Sequence, residues 1–271
     1  MPIAHLEDRA VIAVTGADAR SFLQGLITND VERLGVGKGI YAALLTPQGK
    51  ILFDFFLVEG DGAVLIDCAA VSRDALIKRL SMYKLRAKVT LEPRDQLAVL
   101  AEWDGEHARY AIAYHDPRLA ALGTRAIIAK GEMHKDLPSA STYHHHRLAL
   151  GVPEAADFGS DRMFALDADL DELHAVDFTK GCYIGQELTA RMKHRGTARK
   201  RLVTVETTDA LPAAETSIKA QGRDIGEIAS VYGHKGFALI RLDRLDEAGT
   251  SPLTAGDSMP VKLSKPSWLS A

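Results

Sequence analysis

The stretch TKGCYIGQELTARMKHRGTARKR, residues 179 to 201, sets Cys182 between glycines at the head of a basic segment, in a chain with only two cysteines. A thiol kept for packing would sit in an apolar run. From Tyr183 to His194 the pattern predicts a helix: Ile184, Leu188 and Met192 are four apart, and Glu187 and Arg191 form an i,i+4 pair on another face. Cys182 is then expected at or just before the helix N-terminus, where unsatisfied amides and the helix dipole favour a thiolate, with Lys180 adding positive charge. Gly181 and Gly185 let the backbone turn closely and leave the sulfur uncovered. Gln186 and Glu187 are expected to orient the turn, Glu187 serving equally well as an ordinary carboxylate in the first helical turn. A small residue filling a tight turn remains the alternative for Cys182.

Other groups invite chemistry less strongly. In AVLIDCA, Cys68 shares a strand face with Val64 and Ile66, the setting of a buried, unreactive thiol. Two cysteines so far apart make no zinc motif. Arg191, Lys193, Arg195, Arg199, Lys200 and Arg201 crowd into the same segment without an acid. They form either a solvated basic face or a docking surface for an acidic partner or anionic ligand. Little aromatic interleaving and a net charge of -3 argue against a nucleic-acid partner. His144, His145 and His146 cannot all face one point on a regular element, which disfavours a metal site. Asp30, in TNDV, could simply end a helix.

The elements that position these groups read as α+β. AVIAVTG alternates like a strand, and ARSFLQGLITNDV then predicts a short helix closed by Asp30. GIYAALL, KILFDFFLVE and AVLIDCA, joined by TPQG and GDG, predict an antiparallel meander. Ser72 is placed to cap a helix carrying Leu76, Ile77, Leu80 and Tyr83. Strand–helix alternation resumes around QLAVLAEW and DPRLAALGTRAI. Residues 151–178 lack a sustained period and predict a long irregular connection of the kind that is often functional. After Arg201, short alternating strands predict a small antiparallel barrel or sandwich. The boundary is set near residue 200, giving domains 1–200 and 201–271. No stretch of 18 apolar residues suggests a membrane span, and MPIAHLEDRA has neither a secretory nor a mitochondrial pattern, so a cytoplasmic location is expected.

At KGCYIGQE the chain resembles the folate-binding YgfZ proteins and their mitochondrial relatives that assist iron–sulfur cluster assembly; DFTKGCYIGQELTARMKHRG is most like the mitochondrial branch. GADARSFLQGLITNDV and GKGIYAALLTPQGKILFDFFLV are similar both to these proteins and to the aminomethyltransferase T-protein of the glycine cleavage system. The resemblance covers essentially the whole chain. It implies a cloverleaf of two interwoven α/β subdomains around a folate channel plus a C-terminal antiparallel β-barrel, with tetrahydrofolate as cofactor. Asp30, with Asn29 beside it, matches the T-protein aspartate near the reactive folate nitrogens. Asp161, ending FGSD, is implied as a pterin ligand, and Tyr41 falls near a tyrosine of the folate channel. The T-protein lacks the cysteine of KGCY, which is complete here.

One exposed thiolate cannot complete the four ligands of a cluster. If Cys182 is a metal ligand, the others must come from a partner, which the resemblance implies is an A-type scaffold sharing a [2Fe-2S] cluster. Two alternatives stay open: a folate-dependent aminomethyltransferase, and a noncatalytic docking protein with a vestigial folate pocket.

Overall fold

A computed structural model describes residues 2–105, 110–134, 136–196 and 199–270. In chain order β1 (Ile3–His5) and β2 (Arg9–Thr15) precede α1 (Ala19–Gln24), and β3 (Ile40–Leu45), β4 (Ile51–Gly60) and β5 (Ala63–Ala69) precede α2 (Arg73–Tyr83). The strands β6 (Thr90–Pro93), β7 (Leu97–Glu102), β8 (Ile112–His115) and β9 (Thr124–Ala129) follow, then α3 (Ala140–Ala149), α4 (Ala155–Phe158) and α5 (Gln186–His194). The last part contains β10 (Lys200–Glu206), β11 (Ser217–Ala220), β12 (Arg223–Tyr232), β13 (Lys235–Arg241), α6 (Leu242–Ala248), β14 (Leu253–Ala255) and β15 (Met259–Ser264).

These strands make three units. One sheet has the order β3-β4-β5-β2-β6, a second the order β1-β7-β9-β8, and β10-β13-β12-β11-β14-β15 close into a barrel. The chain starts in the second sheet, crosses to the first and returns, so the two α/β units are interwoven. The expected meander is β3-β4-β5, paired antiparallel from Ile40 opposite Leu57 to Gly60 opposite Ala63. Alternation places Ile12, Val14, Phe55, Leu57, Ile66 and Cys68 in one core beneath α1 and α2, and Tyr41, Phe56, Val58 and Leu65 in the other, against the second sheet. No helix among the described residues is long and apolar enough to cross a membrane.

Three local expectations change. The first helix stops at Gln24, so Asp30 does not close it; Asp30 instead caps the 3-10 turn Val31–Arg33, accepting the Glu32 amide. Ser72 occupies the cap position of α2 without a side-chain cap bond. DPRLAALGTRAI contributes only a 3-10 turn, Ala120–Leu122, before β9, because Gly123 has φ +80° and a Cβ there would meet the Glu102 carbonyl oxygen at 2.0 Å. The connection 151–178 is irregular as expected, apart from the short α4, and much of it is buried. Met163, Leu166, Leu170, Leu173 and Val176 are all in the larger core, while Asp157, Asp169 and Asp177 are buried with them. Asp157 pairs with Arg147, and Asp169 and Asp171 with Arg201, so part of the segment's acidity serves internal ion pairs.

Candidate functional site

Two regions carry chemistry. The first is an ionic centre where the two α/β units meet. Arg118 is fully enclosed and grips Asp116 through Nε and Nη2, at 3.0 and 2.8 Å, while Nη1 donates to Glu154 at 3.0 Å. Asp67 accepts from Arg9 at 2.6 Å and Arg125 at 2.8 Å, and Arg147 donates to Asp157 at 2.7 Å. The guanidinium carbons of Arg125 and Arg118 lie 4.2 and 4.7 Å from the centre of the Phe56 ring, which itself stacks on Tyr41. Burial works against the charge of Glu154, but Arg147 and Arg118 outweigh it and hold its carboxyl well below the usual range.

Beside this centre opens a cavity of about 540 Å3, within the usual range for small-molecule sites. Leu52, Phe53 and Phe158 give it apolar walls; Asp54, Arg147 and Glu154 give it polar ones. Asp54 is 3% exposed. Its Oδ2 accepts the Tyr41 hydroxyl at 2.8 Å, whereas its Oδ1 has no hydrogen-bond partner. Burial raises the Asp54 pKa above the ordinary carboxylate value. Tyr232 of the barrel closes one side, donating to Asp157 at 2.9 Å and accepting from Arg147 at 3.0 Å. The cavity therefore sits where the barrel docks on the α/β units. A buried carboxylate with one unpartnered oxygen lines this aromatic-walled cavity, an acceptor that fits a flat heterocycle with N–H donors such as a pterin.

The anticipated folate residues are not gathered there. Tyr41 reaches the cavity only through Asp54. Asn29 is enclosed, donating to the carbonyls of Tyr41 and His174 at 2.7 and 2.8 Å. Asp30 accepts from Gln24 and the Glu32 amide at 2.9 and 3.1 Å, away from the cavity lining. Asp161 is exposed with φ +56°; its neighbours Gly159 and Ser160 line the cavity, but it does not. Asp54, Arg147 and Glu154 were missed. The signal for Asp54 was present: one carboxylate inside the apolar run KILFDFFLV must be paired or functional.

The second region joins Asn29 and Asp30 to KGCYIGQE. Thr28 accepts the Asp177 amide at 3.0 Å through its carbonyl and donates its hydroxyl to Ala175 at 2.6 Å. Asp177 then folds the turn, its Oδ1 accepting from the Thr179 amide and hydroxyl, both at 2.7 Å, and from the Lys180 amide at 3.1 Å. The helix begins at Gln186 rather than Tyr183. Gly185 precedes it with φ +80°, and a Cβ there would meet the Thr46 carbonyl oxygen at 2.5 Å, so glycine is needed for this close approach to the TPQG turn. Cys182 thus lies short of the helix end and is exposed. Lys180 spends its hydrogen bonds on the backbone. Its ammonium donates to the carbonyls of Gln24, Ile27 and Asn29 at 2.8, 2.7 and 2.8 Å, and burial lowers its pKa to about 8. A Cβ at Gly181 would meet nothing within 4 Å. Gln186 accepts the Tyr183 amide at 2.8 Å, and Glu187 pairs with Arg191 at 2.8 Å.

The six cations do not form one face. Arg201 is buried against Asp171 at 2.8 Å, and Lys193 reaches the same carboxylate at 3.0 Å. Arg191, Arg195, Arg199 and Lys200 remain exposed. The three histidines diverge: His144 bonds Asp8, His146 bonds the Ala121 carbonyl, and His145 is exposed. Cys68 is 1% exposed, and burial pushes its thiol up to about 12.

Comparison with known proteins places this geometry. Residues 5–113 match the GCVT N-terminal domain, and residues 199–271 match the CAF17 C-terminal beta-barrel domain. The mitochondrial iron–sulfur cluster assembly factor IBA57 of Mus musculus is 35% identical, over 89% of this chain and 78% of that protein. The chain belongs to the IBA57 family of iron–sulfur cluster assembly factors. The Homo sapiens IBA57 is 32% identical, over 97% of this chain and 84% of its own length. Glycine cleavage system aminomethyltransferase T from Bartonella henselae superposes with a TM-score of 0.77, over 99% of this chain and 86% of that one. At 14% identity that likeness shows the fold alone. The family supports a role in iron–sulfur cluster assembly. It also corrects the expected cytoplasmic location, since these relatives are named as mitochondrial, which points to the mitochondrion rather than the general cytoplasm.

Proposed function

We propose that this IBA57 relative binds a reduced folate in the Asp54 cavity and uses Cys182 to share an iron–sulfur cluster with an A-type scaffold. The observation that carries the reading is the exposed Cys182 on a turn anchored on both sides, in a molecule whose other thiol is buried. Among the described residues no group of three histidine, cysteine or acidic side chains could hold a metal ion. A cluster at Cys182 therefore takes its remaining ligands from the partner. The exposed Arg191, Arg195, Arg199 and Lys200 favour a partner face of negative charge, which a thiolate-ligated cluster also presents.

For folate, the support is the unpartnered Asp54 Oδ1 and the walls of Phe53 and Phe158. Asp54 would accept from pterin N–H groups, and Arg147 with Tyr232 would hold the barrel side of the cavity. Tetrahydrofolate, when bound, supplies nitrogens able to carry a one-carbon unit. Aminomethyl transfer has only the fold in its favour.

Anaerobic reconstitution with candidate A-type scaffolds, with and without tetrahydrofolate, tests both parts by cluster spectroscopy and complex mass. Cys182→Ser should abolish the cluster-bridged complex in a folded protein; wild-type occupancy in that variant would rule out the ligand role. By calorimetry Asp54→Asn should weaken tetrahydrofolate by about 1–3 kcal/mol, the loss expected for a charged hydrogen-bond acceptor. Asp30→Ala measures the contribution of the residue matched by resemblance. An effect for Asp30 alone would move the folate site out of the cavity.

A further inference from the structure

The Gly181–Cys182 pair is an exposed two-residue span between two anchored ends. On one side the Lys180 backbone amide is held by Asp177 at 3.1 Å, and its ammonium spends three donors on the carbonyls of Gln24, Ile27 and Asn29. These carbonyls belong to the last residue of α1 and to the segment that follows it, so the contact ties the cysteine turn to the first α/β unit, more than 150 residues earlier in the chain. On the other side Tyr183 is 9% exposed and packed into the larger core, with its amide held by Gln186 Oε1. Among the described residues no carboxylate is hydrogen-bonded to the Lys180 ammonium, whose hydrogen bonds go to backbone oxygens, although the charges of Asp30 and Asp177 act on it. A cation held by three convergent carbonyls has its position fixed by geometry, which a single flexible ion pair does not achieve.

We propose that Lys180 is the pin that fixes where the Cys182 thiol stands, acting through its ammonium on three backbone carbonyls rather than through its charge on the sulfur. Gln186 is the opposing pin. Both are positioning residues. This rests on the reading of Cys182 as the acting thiol for its consequence, but not for its geometry. The two therefore fail separately: Cys182→Ser tests the thiol, and the mobility of the Cys182 position tests the pin. A shared cluster needs a ligand delivered to a set point beside the partner's own ligands, so a loosened turn should shorten the life of the bridged complex without removing the thiol.

The test uses the full chain with a nitroxide label on Cys182, Cys68 being buried in the folded protein. Wild type should give an immobilised spectrum. Lys180→Met keeps the stem beside the Tyr183 ring but removes the donors, and should release the label, as should Gln186→Ala; Lys200→Met should not. In Lys180→Ala, methylammonium should restore the immobilised component by occupying the three-carbonyl cradle, whereas sodium at equal ionic strength should not. A bulk structural role would not respond to a small ammonium ion. Should Lys180→Ala not fold, a Lys180→Met variant with a native melting curve decides on line shape alone. An unchanged spectrum in folded Lys180→Met, or failure of methylammonium to re-immobilise a folded Lys180→Ala label, overturns the proposal. In unlabelled protein, faster loss of cluster absorbance from Lys180→Met complexes at wild-type thiol content is the functional counterpart.

Discussion

The ionic centre and the cysteine turn hold charged side chains in opposite ways. At the centre, four guanidiniums are each matched by carboxylates, Arg118 with Asp116 and Glu154, Arg125 and Arg9 with Asp67, Arg147 with Asp157, and Arg9 and Arg147 add one backbone carbonyl each, of Asp67 and Val152. At the turn, one ammonium donates to three carbonyls, with the charges of Asp30 and Asp177 nearby but not hydrogen-bonded to it. Side-chain pairs can hold surfaces from distant parts of the chain together, but every member left without its partner is a buried charge. Backbone carbonyls survive almost any substitution of their own residues, so the ammonium contact depends on the Lys180 side chain alone, while the turn around it also needs Asp177, Gly185 and Gln186. The centre is built to join the lobes. The turn is built to present one atom.

Breaking the centre should give the largest effect. Arg118→Met leaves Asp116 without its bidentate partner and Glu154 with the longer ion pair to Arg147, 3.6 Å away, and its place in the capping box of α4. The expected loss is about 3–5 kcal/mol in urea unfolding, the range for removing one side of a buried pair. If the variant unfolds at the wild-type midpoint, the centre is not what joins the lobes.

The two cysteines sharpen the contrast at smaller magnitude. Cys68→Ser places a hydroxyl in the apolar core beside Ile66 and Phe55, and should cost on the order of 1–3 kcal/mol unless that hydroxyl finds the Ala10 carbonyl that the thiol now faces at 3.7 Å. Cys182→Ser should melt like wild type. Iodoacetamide near neutral pH should label Cys182 and spare Cys68, whose thiol stays protonated there. Mass spectrometry of the labelled peptides reads the outcome.

Sequence alone disclosed the fold to different depths in these regions. The meander, the barrel and the exposed thiol follow from alternation, turn residues and the glycines around Cys182, all local signals. Asp116, Glu154 and Arg147 give no local signal, since their burial depends on partners far away in the chain. Asp67 sits two residues before Ala69 in an ordinary strand, and only the crossing of two sheets makes it the shared acceptor of Arg9 and Arg125. The partners of Lys180 were hidden for the same reason: only the folded chain brings its ammonium to the carbonyls of Gln24, Ile27 and Asn29. Asp30 and Asp161 were carried by motif, and their side chains turn out to be set by a 3-10 cap and by an exposed left-handed turn.

The cavity offers a pH test. Because burial raises the Asp54 pKa in the folded chain, its ionisation opposes folding, and that part of the stability is lost as pH rises through the raised value. A ligand whose N–H groups bond the ionised carboxylate favours that form. Tetrahydrofolate affinity should therefore strengthen as pH rises through the Asp54 pKa of the free protein and level off above it, with a slope of at most about 1.4 kcal/mol per pH unit for one proton. Asp54→Asn should flatten the profile. A sloping profile in Asp54→Asn would assign the titration to another group.

The smallest expected effect falls on the turn's own ion pair. Glu187 and Arg191 meet at 2.8 Å one helical turn apart, but their side chains are 85% and 51% exposed, so water screens the attraction. Glu187→Gln should cost about 0.3–0.5 kcal/mol of helix stability, part of it from losing a negative charge in the first turn of α5. More telling is what should stay the same. Glu187 makes no contact that anchors Gly181 or Cys182, so a nitroxide on Cys182 should keep its immobilised spectrum in Glu187→Gln while losing it in Lys180→Met. If Glu187→Gln mobilises the label as much as Lys180→Met does, the thiol is held by the helix as a whole, and the three-carbonyl pin has no special part in placing it.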